Sequence, residues 1–358
     1  MADTKPLSMI ENELKSSIGT FLPQSNFLAC FLLALIGVCR VTLYQIANAF
    51  PTTAKTQSNL KRIQRFVEDF RVTPEAFARA ITVLLPVPQP WILALDRTEW
   101  KLGKIHFNLL VLAVVYKKMA FPLLWMALGP GPSDTAERIL LVSRYLALFG
   151  KHSIAFVTAD REFIGKEWIS WLKGQQVSFR IRIRTTEYLE NDRGEWFVAA
   201  SLFPRRCGCR NRMLLLWGMP VFVGGKPLVG GDTLIVISDV FGDLLTDYRC
   251  RWAIETLFQA LKSRGFDLEA THVTDSERLC RLLGLLALGY VWCFRVGEDS
   301  NASGTVQIKK HARAAKSIFR AGLDAVRRLV LPLCGHFGPR AFVRIVGQLK
   351  PTGQLRPA

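Results

Sequence analysis

Asp96, Asp160 and Glu255 are the residues of this chain whose types and places suit chemistry at a phosphodiester. Displacement at phosphorus helped by two divalent cations needs a few carboxylates converging on one point, because hard Mg²⁺ prefers oxygen ligands and the ions stand about 4 Å apart. Asp96 closes the apolar stretch Trp91 to Leu95, so a strand would fix its backbone while its side chain emerges at the end. Asp160 does the same for Ile154 to Ala159. For either one alone, a turn or helix N-cap aspartate is the competing reading. Glu255 lies in the segment Tyr248 to Lys262, which reads as one helix. Counting from Tyr248, the offsets of Arg251, Glu255 and Lys262 gather all four within roughly 60° of arc at about 100° per residue. A phenol, two cations and a carboxylate on one stripe could hold a metal together with phosphates. The competing reading is a solvated face with an ordinary Arg251 to Glu255 pair. Trp252, Ile254, Leu257, Phe258 and Leu261 point elsewhere and would anchor the helix to a sheet.

The elements that must position these groups are legible from periodicity. Residues 1–85 read as helical, with Leu60, Ile63, Val67 and Phe70 on one face and Lys61, Arg62 and Arg65 on another. Thr42 could cap a short preceding helix ending near Pro51, and the resulting helix, turn and helix would suit contact with DNA. From Pro86 the pattern turns to strands at Trp91–Asp96, Ile105–Tyr116 and Pro122–Leu128, ending at the turn Gly129-Pro130-Gly131-Pro132. A helix follows, with Asp134 and Glu137 in capping-box spacing and Gly150 as its stop. After the run to Ala159, Lys166–Leu172 suggests a helix. Val177, Phe179, Ile181 and Ile183 then alternate with Ser178, Arg180, Arg182 and Arg184, a strand with one buried and one basic face. The order βββαβαβ predicts a mixed sheet flanked by helices, of class α/β, across 86–184 and 241–296. Residues 185–240, with short β runs broken by Gly224-Gly225 and Gly230-Gly231, read as an inserted β-rich subdomain. One long helical region is expected from Asp243 to Phe294. Beyond Ser300 there are eleven Lys or Arg and one acid, Asp324, so 297–358 reads as a basic helical extension.

Composition narrows the partner. A formal charge of +18 over 358 residues is more than an enzyme of small neutral metabolites needs, and it favours a polyanion, either nucleic acid or an anionic membrane surface. The strongly apolar runs Phe27–Cys39 and Leu282–Phe294 fall short of the roughly 20 residues that span a bilayer, so they read as buried core helices. No basic-then-apolar leader opens the chain, and a cytoplasmic, nucleoid-associated protein without membrane attachment is expected. The eight cysteines are scattered, and reduced thiols are expected. Cys207 and Cys209 form a lone C-x-C without the further ligands of a zinc site, and Gly224-Gly225-Lys226-Pro227 lacks the spacing and hydroxyl of a phosphate loop.

The segment from Tyr248 to Lys262 carries Y-(2)-R-(3)-E-(6)-K without a gap, and in this it resembles the insertion-sequence-four family of bacterial DDE transposases, the group containing the Tn-five and Tn-ten enzymes. Leu95-Asp96-Arg97-Thr98-Glu99-Trp100 and Thr158-Ala159-Asp160-Arg161-Glu162-Phe163 resemble that family's first and second carboxylate blocks. The resemblance spans about residues 90–295. It implies a ribonuclease-H-like core interrupted by a β insertion before its last helix. It further implies that Asp96, Asp160 and Glu255 bind two Mg²⁺ ions, for which Mn²⁺ could substitute. Double-stranded DNA, as transposon ends and target, is the implied partner, and a homodimer is the implied form of the DNA complex. Glu99 lies an odd number of residues from Asp96 on an alternating strand and would face away, while Glu162 would begin a turn. Tyr248, Arg251 and Lys262 would touch DNA phosphates, and Lys61, Arg62 and Arg65 would add contacts from the N-terminal helices. Family members can pass through a DNA hairpin, which calls for an aromatic ring to hold a base out of the stack. Trp217, ending the run Met213–Leu216 before Gly218, is the candidate, with Trp196 in reserve. The competing reading makes Trp217 a core residue of a small sheet. Two other functions stay open: a DNA-binding repressor without turnover, and a nuclease of the same fold that joins nothing.

Overall fold

The structure, a computed structural model, describes residues 4–70, 72–102, 104–203, 211–303, 316–330 and 339–352. Cys207, Cys209 and Cys334, together with much of the basic run after Ser300, lie outside these residues. The chain divides into two compact units, one of Met1–Val87, Trp100–Phe107 and Phe258–Ala358, the other of Pro88–Glu99 and Asn108–Leu257.

The first unit begins with α1 (Thr4–Ile18), α2 (Ser25–Val38), α3 (Leu43–Asn48), α4 (Thr56–Asp69) and α5 (Pro74–Leu84). α4 is two-faced as its spacing predicts: Ile63, Phe66 and Val67 are buried, while Lys61, Arg62 and Arg65 are exposed. Phe66 joins the apolar face to α2 through Phe27, ring centroids 4.3 Å apart. Thr42 stands at the N-cap of α3 but does not cap it; its hydroxyl donates to the Ala270 carbonyl at 3.3 Å. Thr73 does cap α5, accepting from the Ala76 N–H.

The second unit is built on β1 (Trp91–Leu102) and β2 (Ile105–Tyr116), apart from Trp100–Phe107, and on β3 (Met119–Ala127), followed by α6 (Thr135–Phe149), β4 (Ile154–Ala159), α7 (Lys166–Gly174) and β5 (Phe179–Arg182). The Asp134–Glu137 capping box opens α6 and Gly150 ends it. β1 runs parallel to β4, and β4 to β5, while β2 and β3 pair antiparallel. The insertion adds β6 (Tyr188–Glu190), β7 (Trp196–Val198), β8 (Arg212–Leu216), β9 (Met219–Pro227) and β10 (Thr233–Ser238). All ten strands form one sheet in the order β3-β2-β1-β4-β5-β10-β9-β8-β6-β7. Its first five strands, with β1, β4 and β5 parallel and the antiparallel β2–β3 pair at the edge, form a ribonuclease-H-like mixed sheet with flanking helices.

Three expectations change here. The insertion is not a sheet of its own: β10 pairs antiparallel with β5, so the added strands extend the core sheet. β9 runs through Gly224-Gly225, which were expected to interrupt it; a Cβ on Gly225 would come within 2.7 Å of the Phe203 ring, so glycine there admits packing against the strand. The basic face of β5 is covered by α8, and Arg180 on it is buried with Asp239 and Asp247 as partners.

The helical region expected to run from Asp243 to Phe294 is broken into α8 (Leu244–Arg249), α9 (Trp252–Leu261) and α10 (Ser276–Ala302). α10 is longer than its apolar run implied: at 27 residues it has the length and composition to cross a membrane, although 83% of its apolar window is buried. It packs against α2, α5 and α11 (Ile318–Val330) within the helical unit, and α11 also meets α2. The C-terminal helices are therefore integral to the N-terminal helical unit. α12 (Pro339–Gly347) touches α1, and its Ile345 carbonyl accepts from Trp292 Nε1 at 3.1 Å.

Candidate active site

The ladder between β1 and β4 ends at the pair Leu95↔Ala159. Asp96 and Asp160 are the next residues on the two strands, so parallel pairing carries both carboxylates out at one end of adjacent strands. Asp96 does not close β1, as its apolar run suggested. β1 continues to Leu102, and what stops at Asp96 is the parallel partner. Arg180 and Arg182 share this sheet face by register, since Thr158 pairs Arg180 and Val236 pairs Arg182. α8 covers the face, burying Leu244, Leu245 and Tyr248 against Val236.

Tyr248 and Glu255 do not ride on one continuous helix. The chain turns at Cys250 and Arg251, where Arg251 N–H bonds Tyr248 O and Ile254 N–H bonds Arg251 O, each spanning three residues. The tighter turn still delivers the expected groups. Tyr248 Oη donates to Asp160 Oδ1 at 3.2 Å. Arg251 Nη1 lies 3.3 Å from Asp96 Oδ2, and Nη2 lies 2.5 Å from Glu255 Oε1. Asp96, Asp160, Tyr248, Arg251 and Glu255 thus form one connected cluster within the second unit. Ile254, Leu257 and Leu261 are buried as anchors, but Trp252, expected among them, is 67% exposed. The broken helix rotates it away from the apolar stripe.

Lys262 follows α9 in the other unit, where it lies 3.3 Å from Glu269 and over the Trp100 ring. Trp217 stands at the corner of the β8–β9 hairpin, half-buried, with φ 53° followed by Gly218 at 81°. Those positive angles fit a two-residue hairpin turn, and they place a tryptophan where asparagine or glycine is usual. Trp196 is 59% exposed on the outermost strand, in register with Glu190.

Sequence reasoning missed Arg182, whose Nη1 lies 3.8 Å from Asp160 Oδ1 while Nη2 donates to Asp232 at 2.8 Å. It missed Arg180 as well, which ties α8 to the sheet through Asp247 at 2.9 Å and thereby holds the neighbouring Tyr248. The signal was their alternation with buried residues, but only the packing of α8 shows that the basic face of β5 is covered. Glu99 is paired with Arg97 at 2.9 Å, and Glu162, in a turn as expected, also meets Arg97 at 3.5 Å.

Burial pushes the Asp96 carboxyl up to about 6, against the Arg97 N–H and Arg251, which lower it; Glu162 and Asp160 add to the rise. Burial likewise raises Tyr248, so its hydroxyl keeps its proton and donates. Arg251 is raised although burial opposes its charge, because Tyr248, Asp160, Asp96 and Glu255 face it. The folded protein holds the Asp96 proton more tightly than the unfolded chain does. Its contribution to stability is therefore complete below pH 3.8 and lost as pH rises through about 6. The difference between 3.8 and about 6 corresponds to about 3 kcal/mol. Asp96→Asn should accordingly stabilise the protein in EDTA by about 1–3 kcal/mol at pH 8 and by almost nothing at pH 4. Thermal unfolding at the two pH values reads this out, and an equal effect at both would refute it.

Oxygen donors of this kind suit a hard divalent cation. Among the described residues, however, no three His, Cys, Asp or Glu come together closely enough to hold a metal ion. The Arg251 guanidinium contacts two of the three carboxylates instead.

Residues 88–292 match the family described as "Transposase DDE domain". No curated protein matches the chain. Among solved structures the chain is similar to the piggyBac transposase in its synaptic complex with hairpin DNA, at 10% identity and a TM-score of 0.48, over 97% of this chain and 83% of that one.

Proposed function

This chain belongs to the transposase DDE domain family, and on that premise we propose that Asp96, Asp160 and Glu255 hold two Mg²⁺ ions, or Mn²⁺ in their place, for cutting transposon ends and joining them to target DNA. The observation that carries this reading is the cluster at the Leu95↔Ala159 ladder end, where Asp96 and Glu255 meet one guanidinium and Asp160, beside them, is held by Tyr248 and Arg182. When bound, the cations neutralise charge on the phosphate and sharpen the nucleophile. The protein's own part is positioning. β1 fixes Asp96 and the end of β4 fixes Asp160, Tyr248 aims Asp160 by its hydrogen bond, and Arg182 balances Asp160 from the side. The gapless Y-R-E-K spacing supports the finer assignment to the insertion-sequence-four group.

The DNA contacts belong to the same proposal. Lys61, Arg62 and Arg65 present charge from an exposed face of the α3–α4 pair, and Lys262 and Arg251 reach phosphates near the cut. Each lost phosphate contact should lower the slope of log K against log salt by about 0.9. Alanine variants of these lysines and arginines, measured singly, test this; a slope equal to wild type removes that residue from the interface. Trp217 is proposed as the ring that takes an unstacked base. Trp196 suits the role less, since Glu190 pairs opposite it and Glu195 precedes it, both with charge that repels phosphate. Trp217→Ala should lose hairpin formation while keeping nicking, and equal loss of both would make it structural. Two copies acting on paired ends in the cytoplasm complete the reading, checked by the mass of the DNA complex.

The deciding experiment incubates purified protein and Mg²⁺ with DNA carrying the repeats that flank its gene. Nicked, excised and joined products are expected. Nicks without joining would indicate a nuclease, and binding without nicks a repressor.

A further inference from the structure

We infer that the Arg251 guanidinium is the cation a divalent metal must displace from Asp96 and Glu255, and that the exchange frees this arginine for the substrate phosphate. The inference rests on the ligand assignment proposed above, and it concerns how metal and substrate binding are coupled.

The guanidinium spans carboxylates that are far apart in sequence, at 3.3 Å from Asp96 Oδ2 and 2.5 Å from Glu255 Oε1. A planar fork can hold two carboxylates at once, where an ammonium would serve as a single point charge. A hard cation would need the same oxygens. Two positive centres within a few ångströms of each other in a largely buried site repel strongly, so one excludes the other. Asp160 is outside the clamp; Tyr248 and Arg182 hold it.

Two further features suit Arg251 to a second position. It lies in the turn between α8 and α9, where its backbone bonds span three residues and continue neither helix's four-residue ladder. Its Nε is buried without a hydrogen-bond partner, so the present pose leaves one donor unused. A phosphate oxygen could accept from Nε and one Nη together, a bidentate geometry the carboxylate clamp does not use. Metal loading would then release the residue that grips the strand, and binding of either partner would favour the other.

The test uses full-length protein and Mn²⁺ alone, with free Mn²⁺ counted by electron paramagnetic resonance. Arg251→Gln should bind Mn²⁺ at least ~10-fold more tightly than wild type, because a competing charge-assisted pair is gone. Arg251→Lys should fall between them. In wild type with labelled arginine, the Arg251 side-chain NMR signals should shift and lose protection from exchange as Mg²⁺ is added. A folded Arg251→Gln that binds Mn²⁺ no better than wild type overturns the inference, as do Arg251 signals unmoved by saturating Mg²⁺. The NMR measurement needs no variant, so a misfolded Arg251→Gln leaves the question decidable. If wild type and Asp96→Asn bind Mn²⁺ alike, the ligand assignment itself has failed, and the exchange fails with it.

Discussion

Alanine at Asp96, Asp160 or Glu255 should lower strand cleavage at least ~10³-fold, with binding to DNA ends held within about twofold, since members of one catalytic unit fail together. The geometry explains both halves of this result. Asp96 and Asp160 follow the last pair of the β1–β4 ladder and Glu255 reaches the same cluster through Arg251, so removing one carboxylate deletes a point of convergence that the other two cannot supply. Affinity for DNA is a separate property, spread over many cations of a chain whose formal charge is +18. Losing one acid does not weaken it. Glu99→Ala is the control: Glu99 lies on the opposite face of β1 from Asp96 and pairs with Arg97, which keeps Glu162 as a second partner. It should cost less than about tenfold, the low end for residues that act through a neighbour. Cleavage within tenfold of wild type by any of the three alanine variants would remove that residue from the site.

Gly322→Ala should destabilise the helical unit by at least about 3 kcal/mol, near the upper end for overpacking, and lower Tm by roughly 6–12 °C. α10 and α11 cross with their backbones in near contact. A Cβ on Gly322 would stand 1.7 Å from the Cys293 carbonyl oxygen, and one on Gly297 would stand 1.9 Å from that of Ile318. Both obstacles are backbone, which has no rotamer to yield. The reciprocal pair makes this crossing the tightest packing requirement described for the unit. Gly347→Ala in α12 has nothing within 4 Å of its new methyl and should be neutral or stabilising by up to about 1 kcal/mol. Thermal unfolding of both variants decides the matter: similar Tm values would mean that the two helices move apart at little cost.

The sequence carried the site's membership further than its geometry. Asp96 and Asp160 were legible because apolar β runs end at an acid, and Glu255 because its spacing from Tyr248 and Arg251 survives any helical turn. The stripe itself was drawn on an ideal helix that does not exist, since two turns of bonds spanning three residues interrupt it at Cys250 and Arg251. The cluster persists because neighbours in sequence stay neighbours through a local tightening. Lys262, seven residues beyond Glu255, has no such protection and is held by Glu269 and Trp100.

What the sequence determined by itself is local. The apolar runs that become β1–β5, the capping box at Asp134, the two-faced α4 and the acids that follow the apolar runs come from side-chain chemistry within a few positions. Tertiary structure decided what depends on distant partners. Arg180 and Arg182 looked like one basic face, and α8 over that face with Asp160 and Asp247 beside them made them counter-charges under cover. The insertion looked separate until β10 paired with β5. The C-terminal helices looked like an extension, yet Gly297 and Gly322 let α10 and α11 meet at backbone distance within the N-terminal helical unit. Periodicity reports which face of an element is apolar. It holds no record of which element, dozens or hundreds of residues away, will cover that face.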